Sequence, residues 1–422
     1  MRVQHLSRAA VGTVLALALA ACGGGGGFSG ESSSDGGDKG TVRMLVNITP
    51  NLTQSYWEGL VKPFEQANPG VDVKIEAPTG KTVSDTLPQQ LAAGNAPDVV
   101  ETLMADRTLA PQMLDLTDQP WVKGTPLAQE AALGGKIYTV GVGEQAQSLI
   151  FYNKDAFAKA GIAQPPTTLD ELTQDMGKLK SAGYLPLQTA GDFVTGLQML
   201  QLADPSLAQS HPQWYQDIRA KRLKVGESLL PYLKLYKSWL DKGYLDKNAM
   251  GLKYPDSQTR FFSGKSAMYI MGSWFTASEA TAKKKFDVGV FPAPVQTGQK
   301  SPGPQGATMA APYMILKSTK HRALALKLVQ WLVTDKAAVT SQLQQDGNFR
   351  KGYDRKFTPL EQQVQQILDA APSGVPQGEG YGDYTLPSGF NDAWNTQVQG
   401  LYVGRSPEKV ASAIDQWVSS HS

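Results

Sequence analysis

The sequence predicts an α/β protein built as two lobes, and three observations carry that prediction. Short β-like runs alternate with amphipathic helical stretches along most of the chain. Residues 41–422 are more than one hydrophobic core comfortably holds, so two lobes are the natural division. Beyond the first 22 residues no apolar run approaches the roughly 20 residues that cross a bilayer, so these elements pack on one another.

The elements follow in order. Residues 42–47 read as a strand, and the Thr49-Pro50-Asn51 loop leads into a helix over 54–66, with Trp57, Leu60, Val61 and Phe64 at helical spacing. Asn68-Pro69-Gly70 stops that helix, and 71–77 alternates as a strand. Residues 86–93 are expected to be helical, Gly94-Asn95-Ala96-Pro97 breaks them, and 98–101 forms the next strand. Residues 137–142 and 149–153 are further strands flanking 143–147. Thr168 and Glu171 have the spacing of a capping box, which predicts a helix to about Ser181. Residues 229–242 and 320–333 are long amphipathic helices, and 406–419 is a terminal helix with Pro407 in its first turn.

The N-terminus has a different character. Arg2 and Arg8 precede an apolar run over 11–21 that is too short to span a membrane and fits the apolar core of a signal peptide. Leu19-Ala20-Ala21-Cys22 resembles the bacterial lipobox, which implies acylation of Cys22 and anchoring to the outer face of the cell membrane; an ordinary cleavage site with an incidental cysteine is the alternative. Residues 23–40 are mostly Gly, Ser and Asp, a tether with a reach of roughly 20–25 Å. Cys22 is the only cysteine, so no internal disulfide can form and no cysteine-based zinc site or thiol catalyst is expected. The four histidines lack metal-ligand spacing, and neither a metal nor a cofactor is expected. Removing residues 1–21 leaves 38 basic and 38 acidic side chains with no basic stripe, which argues against nucleic acid as partner.

Five segments then carry a resemblance. They are Gly94-Asn95-Ala96-Pro97-Asp98-Val99-Val100, Gly135-Lys136-Ile137-Tyr138 with Phe151-Tyr152-Asn153-Lys154-Asp155, Pro165-Pro166-Thr167-Thr168-Leu169, Phe262-Ser263-Gly264-Lys265 running to Met271-Gly272-Ser273-Trp274, and Val288-Gly289-Val290-Phe291-Pro292. In this order and spacing the chain resembles the family 1 extracellular solute-binding proteins of ABC importers. The resemblance implies a two-lobed periplasmic-binding-protein fold, with hinge-connected lobes and an interlobe ligand cleft. It places the first crossing near 144–147, the second near 285–287 and the third near 313–316. The first lobe would be 41–145 and 287–313, and the second 146–286 and 314–422. The family usually has a proline after the Lys-Ile-Tyr strand, where this chain has Gly141-Val142-Gly143, so a more flexible crossing is expected.

A sugar needs hydrogen-bonding side chains at its rim and aromatic rings for its C–H-rich face. Trp274, at a strand end, is the leading candidate; a packed core tryptophan is the competing reading. Asp106 and Arg107 follow the 98–101 strand and either bind hydroxyls or form a structural ion pair, with Glu101 as an alternative acid. Glu144, Gln145 and Gln147 fall at the first crossing, and Asp192 and Phe193 in a glycine-flanked loop that matches a ligand loop of the family. Asn47, Thr49 and Asn51 follow the first strand, although Asn51 equally suits a helix cap, and Asn391 and Trp394 are further candidates in the far lobe. The expected function is capture of a mono- or oligosaccharide by hinge closure and delivery to ABC permease subunits, by a monomer that is not an enzyme. A secreted carbohydrate-active hydrolase and a ligand-presenting sensor partner are the competing functions.

Overall fold

A computed structural model describes residues 39–421 apart from 81, 301–306, 354, 371–379 and 381. The expected signal peptide, Cys22 and all but the end of the expected tether lie outside the described residues. Strand β1 (Gly40–Leu45) pairs with β2 (Val71–Glu76), and Gly40, expected in the tether, already sits opposite Val71. The other strands are β3 (Val99–Glu101), β4 (Val140–Ala146), β5 (Leu149–Asn153), β6 (Leu185–Gln188), β7 (Ser266–Met271), β8 (Val288–Pro292) and β9 (Ala307–Ile315).

These strands form two sheets. The first has the order β2-β1-β3-β9-β4, parallel among β1, β2 and β3 and antiparallel where β9 meets β3 and β4. The second has the order β6-β7-β5-β8, with β5 antiparallel to both neighbours. The first sheet buries Val42, Met44 and Tyr313 against Trp57, Phe64 and Leu328. Around the second, Ile150, Met268 and Leu187 pack on Leu229, Tyr236, Trp239 and Trp394.

Local chemistry sets several boundaries. Thr168 accepts from the Glu171 N–H and Glu171 reaches back, so helix Leu169–Ser181 starts at its capping box. The Thr82–Asp85 box does the same for helix Val83–Ala92 and starts it three residues before the expected position. Such caps contribute about 1 kcal/mol each. Strand β4 begins at Val140 and runs past the expected Val142, because β9 pairs with it as far as Ala146–Ala307.

The lobe boundaries shift in two places. Strand β8, expected in the first lobe, pairs with β5 and buries Val288 and Val290 in the second. Helices Arg322–Thr334 and Lys336–Gln345, expected in the second lobe, pack on the first sheet through Leu324, Leu328, Leu332, Val339 and Leu343. Sheet pairing is a long-range choice, and the strings themselves suit either lobe. The chain therefore crosses at 147–148, again between β8 and β9, and a third time after Gln345, before helix Pro359–Asp369 joins the core beside β8.

Gly141 and Gly143 have a packing role rather than the expected flexible one. A Cβ on Gly141 would stand 2.2 Å from Met309 Cγ, and one on Gly143 would stand 2.4 Å from Leu343 Cδ2 and 2.5 Å from the Phe349 carbonyl oxygen. Both lie against neighbours that leave no room for a side chain. Among the described residues no helix is long and apolar enough to cross a membrane.

Candidate functional site

Between the lobes lies a cleft with two different ends. At one end is a cavity of about 520 Å³. Thr102, Leu103, Met104, Ala105 and Asp106 after β3, with Ser84 and Leu87 of helix Val83–Ala92, line its first-lobe side. Thr308 and Met309 of β9 form its back, and Thr385, Ser388, Asn391 and Asp392 line the second-lobe side. Helix Phe390–Gln399, which carries the last two, is anchored in the second core through Phe390, Trp394 and Val398. A larger hollow of about 700 Å³ lies along helix Lys336–Gln345, but that helix alone lines it and it encloses nothing.

The lining is mixed: hydroxyl, amide and carboxylate groups of Ser84, Thr102, Asp106, Thr308, Asn391 and Asp392 alternate with apolar Leu87, Leu103, Met104 and Met309, a combination that suits the hydroxyls and C–H faces of a sugar. Thr102 has φ +84°, a left-handed conformation that is costly for a β-branched residue, and its N–H donates to the Pro312 carbonyl at 2.9 Å. This strain is held in place where the loop after β3 meets β9, as a pre-shaped binding loop needs. Gln147 joins the back wall to the second lobe: its Nε2 donates to Thr308 Oγ1 at 2.8 Å, and its Oε1 accepts from Gln201 Nε2 at 2.6 Å.

At the other end the lobes touch. Asn51 of the first lobe donates from Nδ2 to the Trp274 carbonyl at 3.4 Å, and its Oδ1 accepts from Ser278 Oγ at 3.1 Å. Asp346 stands beside this seam and accepts from Gln145 Nε2 at 3.4 Å and Asn348 Nδ2 at 3.1 Å. Burial raises its acid to about 7. The neighbouring Glu101 is buried and accepts from the Asn47 N–H at 3.0 Å; burial first, and then the charge of Asp346, raise it to about 8. No lysine, arginine or histidine figures among the causes of either shift. Tyr56, Tyr254 and Tyr313 complete the surroundings, all raised chiefly by burial.

The expected residues are therefore distributed. Asp106 and Asn391 meet at the cavity. Asp106 and Arg107 do not form a pair: Asp106 Oδ1 accepts from its own loop, the Thr108 and Leu109 N–H groups, both at 2.8 Å. Arg107 instead reaches Asp383 across the cleft at 3.5 Å, and Asp383 also accepts from the Gly134 N–H. Trp274 and Gln145 lie at the seam with Asn51, and Trp274 is half-buried with its indole beside the Tyr254 hydroxyl. Phe193 is exposed, with its ring 5.1 Å from that of Tyr254, while Asp192 accepts from the Tyr254 N–H at 3.0 Å.

Glu144 is half-buried on β4 beside Met309; burial and then the charges of Glu130 and Asp369 raise its acid. Asn47 is tied through its backbone to Glu101 and to Trp57 Nε1, and Thr49 Oγ1 accepts from the Leu52 N–H, so both shape the loop. Trp394 is a correction. It is fully buried, stacks on Phe390 and donates to the Gly196 carbonyl at 3.0 Å, so it belongs to the core and reaches no cleft. Sequence reading missed Asp346, Tyr254, Thr308 and Asp392. Only Asp346 carried a local sign, the Asp-Gly-Asn turn it opens.

A family model described as bacterial extracellular solute-binding protein matches residues 49–339. The chain belongs to that family. This solute-binding protein is 27% identical, across 96% of each chain, to the diacetylchitobiose binding protein DasA of Streptomyces coelicolor. It is 23% identical to the maltotriose-binding protein of Pyrococcus abyssi, over 70% of this chain and 63% of that one. Among solved structures, a chitin oligosaccharide binding protein superposes with TM-score 0.78 at 23% identity, covering 91% of this chain and 99% of the other. A raffinose complex of the binding protein RafE gives 0.72 at 20% identity, covering 91% and 100%. The fold is thus the two-lobed one of periplasmic binding proteins, and an extracytoplasmic location goes with the family.

Proposed function

We propose that this solute-binding protein captures a mono- or oligosaccharide in the interlobe cleft and delivers it to the membrane subunits of an ABC importer. The observation that carries the reading is the cavity itself, which hinge strands back and both lobes line with hydroxyl, amide and carboxylate groups. The saccharides named for the relatives support the same solute class.

Capture works by differential affinity. An open form exposes each wall to water, and a ligand touching both walls favours the closed form by the contacts that only closure completes. The Asn51–Trp274 contact and the Arg107–Asp383 pair are both interlobe links that closing would form. No covalent step is needed. Acylation of Cys22 would hold the monomeric receptor at the outer face of the membrane, near its permease.

The test is a thermal-shift and calorimetric screen of the purified protein against mono-, di- and trisaccharides, polyols and amino acids. A ligand at 100 times its Kd adds about 2.7 kcal/mol and raises the melting temperature visibly. A shift confined to amino acids or polyols overturns the saccharide reading, and release of a cleaved sugar would make the protein a hydrolase. Labelling of cells with a fatty-acid probe checks the anchor, with Cys22→Ser expected to abolish the label.

A further inference from the structure

We infer that Thr308 is a hydrogen-bond donor at the back of the cleft, that buried Gln147 and Gln201 fix its direction, and that the cleft selects a saccharide presenting an oxygen acceptor there. The inference rests on the saccharide reading above and adds to it the polarity of one wall. Thr308 is the second residue of β9, half-buried, and lines the cavity beside Met309. Its Oγ1 accepts from Gln147 Nε2 at 2.8 Å, and Gln147 Oε1 accepts in turn from Gln201 Nε2 at 2.6 Å. Gln147 is 8% exposed at the first crossing, and Gln201 is 1% exposed on helix Val194–Ser210. The three side chains form one relay from the second core to the cavity.

The relay has a direction. A hydroxyl offers one hydrogen and two lone pairs. Gln147 occupies an acceptor position of Thr308, and among the described residues no acceptor takes the Thr308 hydrogen, which is left for the cavity. Turning the Gln147 amide alone sets its nitrogen against that of Gln201, and turning Gln201 alone sets oxygen against oxygen. As the relay stands, Gln201 Oε1 is buried without a partner. Turning both amides strands the Gln201 nitrogen instead, and an orphaned buried N–H is rarer than an under-used carbonyl oxygen. Amides bonded in series also polarise one another, which makes the terminal hydroxyl a better donor.

Position gives the donor its use. Gln147 lies in the first crossing and Thr308 just past the second, so their contact joins hinge segments rather than the walls that move. A donor held there is set before a solute arrives and needs no ordering on closure. The lobe walls carry the opposite polarity in the carboxylates of Asp106 and Asp392, which accept from solute hydroxyls. A saccharide satisfies both, because its hydroxyls donate to the lobes while a ring, linkage, hydroxyl or acylamino carbonyl oxygen accepts from Thr308. A group that is apolar or only donates, such as an ammonium, leaves the Thr308 hydrogen unpaired on closure and is disfavoured. Gln147 and Gln201 do not line the cavity and are positioning residues.

The test titrates diacetylchitobiose, maltotriose and raffinose into the purified protein at pH 8 by calorimetry and repeats the binding ones with variants. Thr308→Val keeps the shape, removes the donor and should raise Kd at least about tenfold. Thr308→Ser keeps the hydroxyl and should recover most of that loss. Gln147→Glu separates a donor from a brace. Its carboxylate only accepts, so it takes hydrogens from both Gln201 and Thr308, keeps the relay bonded and turns the Thr308 hydrogen away from the solute. Kd should rise at least about tenfold, whereas Gln147→Met, which breaks the relay but leaves that hydrogen free, should raise it less than about threefold. A merely structural brace gives the reverse order, with Gln147→Glu near the parent and Gln147→Met the weaker binder. That reverse order, or a folded Thr308→Val that binds like the parent, overturns the inference while the saccharide reading stands. Thermal melts confirm folding, and the two Gln147 variants carry the test should Thr308→Val not fold. If no saccharide of the screen binds the parent protein, the saccharide reading itself fails and this inference with it.

Discussion

The two ends of the cleft solve opposite problems. At the seam, Asn51, Trp274, Gln145 and Asp346 bond to protein, so the lobes complete one another there. At the cavity, Asp392 and the short side chains around it face open volume, so protein contacts leave work for a solute. The seam is aromatic and amide-rich, and the cavity mixes hydroxyl and carboxylate groups with leucine and methionine side chains. The contrast teaches that the residues which look most like a sugar site in sequence need not be those that leave room for one. Trp274 meets the opposite lobe through its backbone carbonyl, while its indole lies beside the Tyr254 hydroxyl.

The largest expected effect separates two tryptophans. Trp394→Ala removes a fully buried indole and should cost about 3–5 kcal/mol in urea unfolding. Trp274→Ala removes a half-buried indole but keeps the backbone carbonyl that meets Asn51, and should cost less than half of that. If the stability losses came out in the reverse order, the division into core and seam would be wrong.

Next comes Gly347→Ala. Gly347, in the third crossing, has φ +56°, and a Cβ there would stand 2.4 Å from Thr276 Oγ1 and 2.8 Å from the Ser273 carbonyl oxygen of the second lobe. The left-handed conformation alone costs about 1–2 kcal/mol, and the contact opposes closure. Small-angle scattering with ligand should show a larger radius of gyration than the parent, and calorimetry a Kd raised about tenfold or more. An unchanged radius would show that the seam does not control closure.

The pH dependence is of intermediate size and belongs to the seam. Glu101 and Asp346 hold acids raised to about 8 and about 7, above the roughly 4 of an exposed carboxyl. The native state therefore binds more protons than the unfolded one between these limits. Their contribution to stability is fully present below about pH 4, declines as pH rises, and is gone above about pH 8. Opening the lobes should follow the same sign. Chemical denaturation at pH 5 and pH 8.5 checks it, with Asp346→Asn expected to flatten the difference. A protein more stable at the higher pH would contradict the protonated seam.

The smallest effect is at the rim. Arg107 and Asp383 are 58% and 45% exposed, so Arg107→Ala should cost less than about 1 kcal/mol of stability. If the pair helps hold the closed form, ligand dissociation should speed up in low salt and match the parent in high salt. A salt-independent change would assign the loss to packing.

Much of the fold was legible because its signals are local. The Thr168–Glu171 box, the Asn68-Pro69-Gly70 stop and the alternation of 71–77 act over a few residues and form where they were expected. The site was legible only in part. Asp106 was expected from its place after a strand, Gln145 from the crossing and Asn391 as a candidate in the far lobe, and the structure puts Asp106 and Asn391 at the cavity and Gln145 at the seam, whereas Asp346, Tyr254 and Thr308 come from distant stretches that no local pattern joins. Trp394 misled because its surroundings are polar in sequence while its indole faces the core.

The sequence by itself determined the alternation of strand and helix, the caps, the division into two cores and the family, since each follows from neighbours along the chain or from ordered motifs. Tertiary structure alone decided which sheet received β8, which lobe claimed 322–345, and why Gly141 and Gly143 are glycine. It also decided which end of the cleft stays open. Those outcomes depend on non-local pairing and on atoms a few ångströms apart in space but hundreds of residues apart in the chain, as Asn51 and Ser278 are.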